Sequence, residues 1–168
     1  MVDVVSPEVR SRMMSGIRGK NTKPEIKLRK SLHAEGFRFR IHAPLPGKPD
    51  LAFPRRKAVL FVHGCFWHGH HCHLFKWPST RTDFWRAKIE GNVARDAMNI
   101  GKLEGSGWRT GVVWECALKG RARVDFPDAI KRCAEWLKSD ERRFELSGED
   151  RCATECLPTT LKASRSNG

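Results

Sequence analysis

The sequence predicts an α/β domain: a mixed central sheet flanked by helices. Three observations lead there. The hydrophobic period switches along the chain between about two and about 3.6 residues, giving the order α-α-β-β-β-α-β-α. The chain has 168 residues, enough for one sizeable core. Its composition, 39% hydrophobic and 30% charged, is that of a globular protein and excludes wholesale disorder.

The elements follow in order. Ser6-Pro7-Glu8 starts a short helix, with proline at the first helical position and an acid in the first turn. It ends near Gly16 or Gly19 and carries Met13 and Met14 among arginines. Thr22-Lys23-Pro24-Glu25 is a capping box that opens a second helix, which Gly36 terminates. Residues 37–41 alternate apolar and basic as a strand does. After the Pro/Gly loop HAPLPGKPD come a short strand over residues 51–53, a PRRK turn and a buried strand over 58–63. Thr82 caps a long helix to about Ser106, with Trp85, Ile89, Val93, Ile100 and Leu103 on one face. Residues 108–115 form another strand, and 127–138 a final helix with Ala129, Ile130, Cys133, Trp136 and Leu137 inward. The expected organisation is one domain over 1–139 with a basic N-terminal helical arm, then a flexible tail over 140–168.

The net charge of +13 and a pI near 10.0 favour a polyanion, nucleic acid before anionic membrane. Arg10, Arg12, Arg18, Lys20, Lys23, Lys27, Arg29 and Lys30 face a single acid, Glu25, within residues 10–30, a pattern suited to phosphate contact. No apolar run is long enough to span a bilayer, and the N-terminus has no secretory h-region. The six cysteines are therefore expected as thiols or metal ligands in a reducing cytosol.

The segment VLFVHGCFWHGHHCHLF (residues 59–75) places five histidines and two cysteines directly after a strand. If residues 51–53 and 58–63 pair as a hairpin with Phe53 opposite Ala58, Asp50 falls opposite Phe61. Asp50 and His63 are then diagonal neighbours on one face, roughly 7–8 Å apart. A carboxylate is a hard ligand for Mg²⁺, and an imidazole can orient or deprotonate water. His68 in the same loop, Glu25 at the second helix and Asp96, four residues from Asn92, are further candidates. Cys65, Cys72 and a nearby histidine supply three ligands for a structural zinc, with Cys116 at the end of another strand the best fourth. Spacing alone leaves His68, His70, His71 and His73 open. Cys133 is expected to pack as a small hydrophobe, as are Trp108, Trp114 and Trp136 in the core. Phe66-Trp67, joined by Trp85, suits a wedge that unstacks base pairs.

PGKPDLAF, VLFVHGCFWHGHHCHLFKWPSTRTDFW, KIEGNVARD and GWRTGVVWECALKG resemble the very short patch repair endonucleases, which nick DNA at T:G mismatches. The resemblance covers about residues 9 to 138 and leaves the tail outside. It implies the restriction-endonuclease-like fold. Asp50 would bind Mg²⁺ with the backbone carbonyl of Val62, and His63 and His68 would be catalytic. Glu25 and Asp96 would hold metal-bound waters or orient those histidines. Cys65, His70, Cys72 and Cys116 would hold Zn²⁺. Phe66, Trp67 and Trp85 would form the wedge, with Met13 and Met14 reaching the DNA from the other groove. Two departures stand out: Val62 replaces a threonine of the family pattern, and Gly69 replaces a histidine.

The expected function is therefore Mg-dependent nicking of duplex DNA at T:G mismatches left by 5-methylcytosine deamination. The rivals are a restriction-type endonuclease on the same scaffold and a non-catalytic zinc-stabilised DNA-binding module. The expected setting is a cytoplasmic monomer, nucleoid-associated when bound to double-stranded DNA. Mismatch-repair proteins are candidate partners.

Overall fold

A computed structural model describes residues 8–9 and 21–149. Its helices are α1 (Lys23–Ala34), α2 (Thr82–Gly105), α3 (Glu115–Leu118) and α4 (Phe126–Lys138). Its strands are β1 (Leu51–Phe53), β2 (Ala58–His63), β3 (Arg109–Trp114) and β4 (Arg143–Leu146). The sheet runs β1-β2-β3-β4, with β1 antiparallel to β2 and the other pairs parallel. This confirms a mixed sheet with helices. Met13, Met14 and the first expected helix lie outside the described residues, apart from helical Glu8 and Val9.

Strand alternation sorts the core into two faces. Leu51, Phe53, Ala58, Leu60 and Val113 pack with Leu28 and Leu32 of α1 and with Ile130, Cys133, Trp136 and Leu137 of α4. Ala52, Val59 and Phe61 face the other way, against Leu103 of α2. The result is a helix–sheet–helix sandwich. His63 continues the Val59–Phe61 row, so it points to the α2 side. The hairpin register is the expected one, Phe53 opposite Ala58 and Leu51 opposite Leu60. Arg109 ties the sheet to α4 by donating to the carbonyls of Trp136, Leu137 and Ser139, acceptors that a helix C-terminus leaves free.

Three expectations are corrected. Residues 37–41 are not a strand: only Arg40 pairs, with Ala52, through bonds of 2.7 and 2.9 Å. His42 at φ 55° turns the chain away after that single rung. Thr82 is the first helical residue rather than the cap, and Arg81 holds the cap position at φ 51°. Residues 140–149 do not belong to a loose tail. Within them β4 pairs with β3 from Thr110↔Arg143 to Val113↔Leu146, and the Gly148 N–H reaches Cys116 Sγ at 3.2 Å. Residues 150–168, with Cys152 and Cys156, lie outside the described part. No described helix is long and apolar enough to cross a membrane.

Candidate active site and metal centre

The C-terminal ends of β2 and β3 carry the candidate residues. Beyond His63 the chain turns through a tight Cys/His loop whose backbone closes on itself, His68 N–H to the Gly64 carbonyl and His70 N–H to the Cys65 carbonyl. Beyond Trp114, the short α3 presents Cys116 to that loop. Among the described residues two clusters of potential metal ligands result. One is Cys65, His70, Cys72 and Cys116; the other is His63, His68 and Asp96. In each, the ligand atoms lie within 4.8 Å of one another.

The first cluster fits a tetrahedral metal. Zinc bonds of about 2.3 Å to sulfur and about 2.05 Å to nitrogen place the two ligand atoms about 3.6 Å apart at the tetrahedral angle. The separation of Cys116 Sγ and His70 Nδ1 is 3.6 Å. Burial pushes the Cys65 and Cys116 thiols up, because low-dielectric surroundings penalise thiolates that no cation neutralises. The set supplies two fully buried sulfurs, a third at the rim and one imidazole, a soft donor set that suits zinc. His68, His71 and His73 stand outside it. The His70 ring stacks on Trp114 at 4.2 Å and 12°, and Trp114 donates its Nε1–H to Glu145 Oε1 at 2.5 Å. Cys133 lies apart in the core, its thiol pushed up to about 12 by burial, as expected of a packed hydrophobe.

The second cluster is arranged differently. The His63 and His68 rings are stacked, with centroids 3.8 Å apart and planes within 2°. An imidazole coordinates an ion in its own plane, and two parallel planes this far apart cannot both aim at one ion. The pair is therefore poorly suited to sharing a metal and well suited to handling protons. Asp96 Oδ2 accepts the His68 Nδ1–H at 2.5 Å, which leaves Nε2 as the free nitrogen. His63 is buried, and burial, followed by the His68 charge, lowers its pKa to about 4 against the pull of Asp96. His63 is thus neutral near pH 7.

Asp50 stands outside that cluster, at the mouth of β1. Its Oδ2 accepts the Val62 N–H at 2.7 Å. Burial raises its pKa, while the Val62 bond and the charges of Arg29 and His68 pull it back. The carboxylate lines a pocket of about 530 Å³ with Glu25, Arg29, His42 and Lys48. A half-buried carboxylate beside an open pocket is a hard donor that a divalent cation would stabilise, so Asp50 fits Mg²⁺. Glu25 is buried and has two tasks: it accepts the Thr22 N–H in the capping box and pairs with Arg29. It lines the same pocket as Asp50.

Phe66, Trp67 and Trp85 form one aromatic group, with centroids 5.1 to 6.0 Å apart and half-buried rings. Asn92 donates to the Trp67 carbonyl at 2.9 Å. Asn92 and Asp96, one turn apart on α2, therefore hold the adjacent residues Trp67 and His68. Helical spacing placed Asn92 and Asp96 on one face, but Trp114, expected in the core, is instead half-buried against His63 and His70, opposite His63 in the sheet register.

The sequence model of the family described as DNA mismatch endonuclease Vsr matches residues 2–74. The type II nicking enzyme V.XorIIP of Xanthomonas oryzae is 52% identical over 119 residues, 70% of this chain and 88% of that protein. The chain belongs to the Vsr family. The DNA mismatch endonuclease Vsr of Escherichia coli is 45% identical over 138 residues, 82% of this chain and 88% of its own length. The type II nicking enzyme V.NmeAIP of Neisseria meningitidis is 45% identical over 123 residues, 73% of this chain and 88% of that protein. Membership of this family, with relatives named mismatch endonuclease and nicking enzyme, supports a DNA endonuclease.

Proposed function

We propose that this Vsr-family protein is a DNA endonuclease that nicks duplex DNA at T:G mismatches in very short patch repair, with a magnesium-dependent active site at the ends of β1 and β2. The observation that carries this reading is that one end of the sheet holds both Asp50, fixed by the Val62 N–H, and a separate stacked His63–His68 pair on Asp96.

Asp50, with the Val62 carbonyl, would hold Mg²⁺. That ion supplies Lewis-acid stabilisation of the charge that builds on the phosphoryl oxygens. His68 Nε2 takes a proton from the attacking water, and Asp96 stabilises the imidazolium that forms. His63 stays neutral beside it, so the pair carries a single positive charge. Arg29 and Lys48, on the pocket wall, offset the charge of the phosphodiester. Zn²⁺ on Cys65, His70, Cys72 and Cys116 would brace the loop that carries His68. Phe66, Trp67 and Trp85 would enter the base stack, at least cost where a mismatch has already weakened it. Lys/Arg contacts position the backbone of double-stranded DNA.

The test is nicking of otherwise identical T:G and matched duplexes with and without Mg²⁺, by wild type and Asp50→Ala. The reading expects a single nick in the T-containing strand, only with the mismatch and the ion, and loss of nicking in the variant. Double-strand cleavage of the matched duplex would point to restriction. DNA binding without cleavage would point to a non-catalytic module.

A further inference from the structure

The aromatic surface does not stop at Phe66, Trp67 and Trp85. Phe75 lies 6.2 Å from Phe66, and Trp77 lies 5.0 Å beyond Phe75. On the other side Phe84 lies 5.4 Å from Trp85. The two outermost rings are the exposed ones, Trp77 at 42% and Phe84 at 45%. Cations accompany them. The Arg81 guanidinium sits 4.4 Å over Phe84, the Arg86 guanidinium 5.7 Å over Trp77, and Lys88 Nζ 5.8 Å from Phe84 and 6.0 Å from Trp67.

Exposed rings interleaved with guanidinium groups have a definite chemical complement. Each nucleotide of an unpaired strand offers one flat π face and one phosphate, and an aromatic–arginine pair engages both. A matched duplex hides its base faces inside the stack and offers phosphates and groove edges instead. The wedge rings are half-buried against one another, but Trp77 and Phe84 have open surface of the kind an unstacked base covers. The platform also adjoins the place where, on the DNA reading above, base pairs are separated.

We infer that Trp77 and Phe84, with Arg81 and Arg86, form a stacking platform for single-stranded DNA next to the wedge. It holds nucleotides that have lost their partner strand.

The test is fluorescence anisotropy of labelled oligothymidylate and of a matched blunt duplex, at fixed ionic strength, with the full-length protein. Wild type binds the oligonucleotide. Trp77→Ala and Phe84→Ala each weaken that binding by about tenfold, the scale of one lost base–ring stack, and weaken duplex binding by less than about twofold. Trp77→Phe, which keeps a ring, retains most of the oligonucleotide affinity. Circular dichroism melting confirms that each variant is folded. Oligonucleotide binding that is absent in wild type, or unchanged in both alanine variants, overturns the inference. Equal losses on oligonucleotide and duplex overturn it as well, since the rings would then be general backbone contacts. Failure to nick a T:G duplex, with oligonucleotide binding intact, refutes only the nuclease reading.

Discussion

Asp96→Asn isolates the proton-handling role of the histidine pair. Asparagine is isosteric and can still face His68, so the fold is expected to hold. The negative charge is lost. The bond it replaces is short, 2.5 Å, between side chains 26% and 27% exposed. A charge-assisted hydrogen bond contributes about 1.5–3 kcal/mol, and partial exposure argues for the lower half of that range. At about 1.4 kcal/mol per tenfold in rate, the loss is about 10- to 30-fold from charge alone. The asparagine amide can also donate to Nδ1, which selects the tautomer with the proton on Nε2 and removes the free base. The combined expectation is about a 100-fold drop in the single-turnover nicking rate, with DNA affinity changed by less than about threefold. Rates measured across pH 6 to 8 should fall throughout. A variant within twofold of wild type at every pH would refute the assignment of His68 as base.

Burial lowers the His63 pKa from 6.5 to about 4. As pH falls through 6.5, the unfolded chain takes a proton that the folded protein refuses, so stability drops, levelling off below about pH 4. The difference amounts to about 2 kcal/mol at pH 5 and roughly 3 kcal/mol at pH 4. Urea unfolding of the zinc-loaded protein should show this slope, and His63→Gln should lack it; parallel curves would count against burial as the cause. Cys116→Ser should lose stoichiometric zinc, read by atomic absorption, and open residues 64–81 to limited proteolysis while the sheet stays folded. Full zinc retention would exclude Cys116 as a ligand. Truncation after Ser139 removes β4, the Arg143–Glu104 pair and the Glu145 bond to Trp114, and should lower the melting temperature by at least about 5 °C. Truncation after Glu149 should not, and equal melting of the two would deny β4 a structural part.

Much of this site was legible because it depends on local rules. The capping box placed Glu25, helical spacing put Asn92 and Asp96 on one face, and the period of two put Asp50 opposite Phe61. What escaped depends on pairing at long range. RFEL of β4 is short and charged, with only Leu146 fully buried, so nothing in its own composition marks it as a strand. It forms because β3 offers an open edge. Residues 37–41 failed in the opposite sense: the alternation is real, and Phe37 is buried, but the following turn allows one rung. The stacking of His63 on His68 was out of reach too, since ring orientation is set by the loop fold and the Asp96 bond. The choice of His70 over its neighbours was fixed by the path of the loop, which no spacing rule encodes.

The grip of α2 on the loop has a mechanical consequence. Trp67 and His68 are consecutive residues held by Asn92 and Asp96, a single turn apart on a helix of 24 residues. A rod of that length does not bend between adjacent turns, so force on the tryptophan backbone is delivered to the neighbouring imidazole with little give. A duplex that resists being pried apart would push the base out of alignment, whereas one that yields leaves it seated. On the proposed roles of Trp67 and His68, sensing and cutting would hang from the same peg.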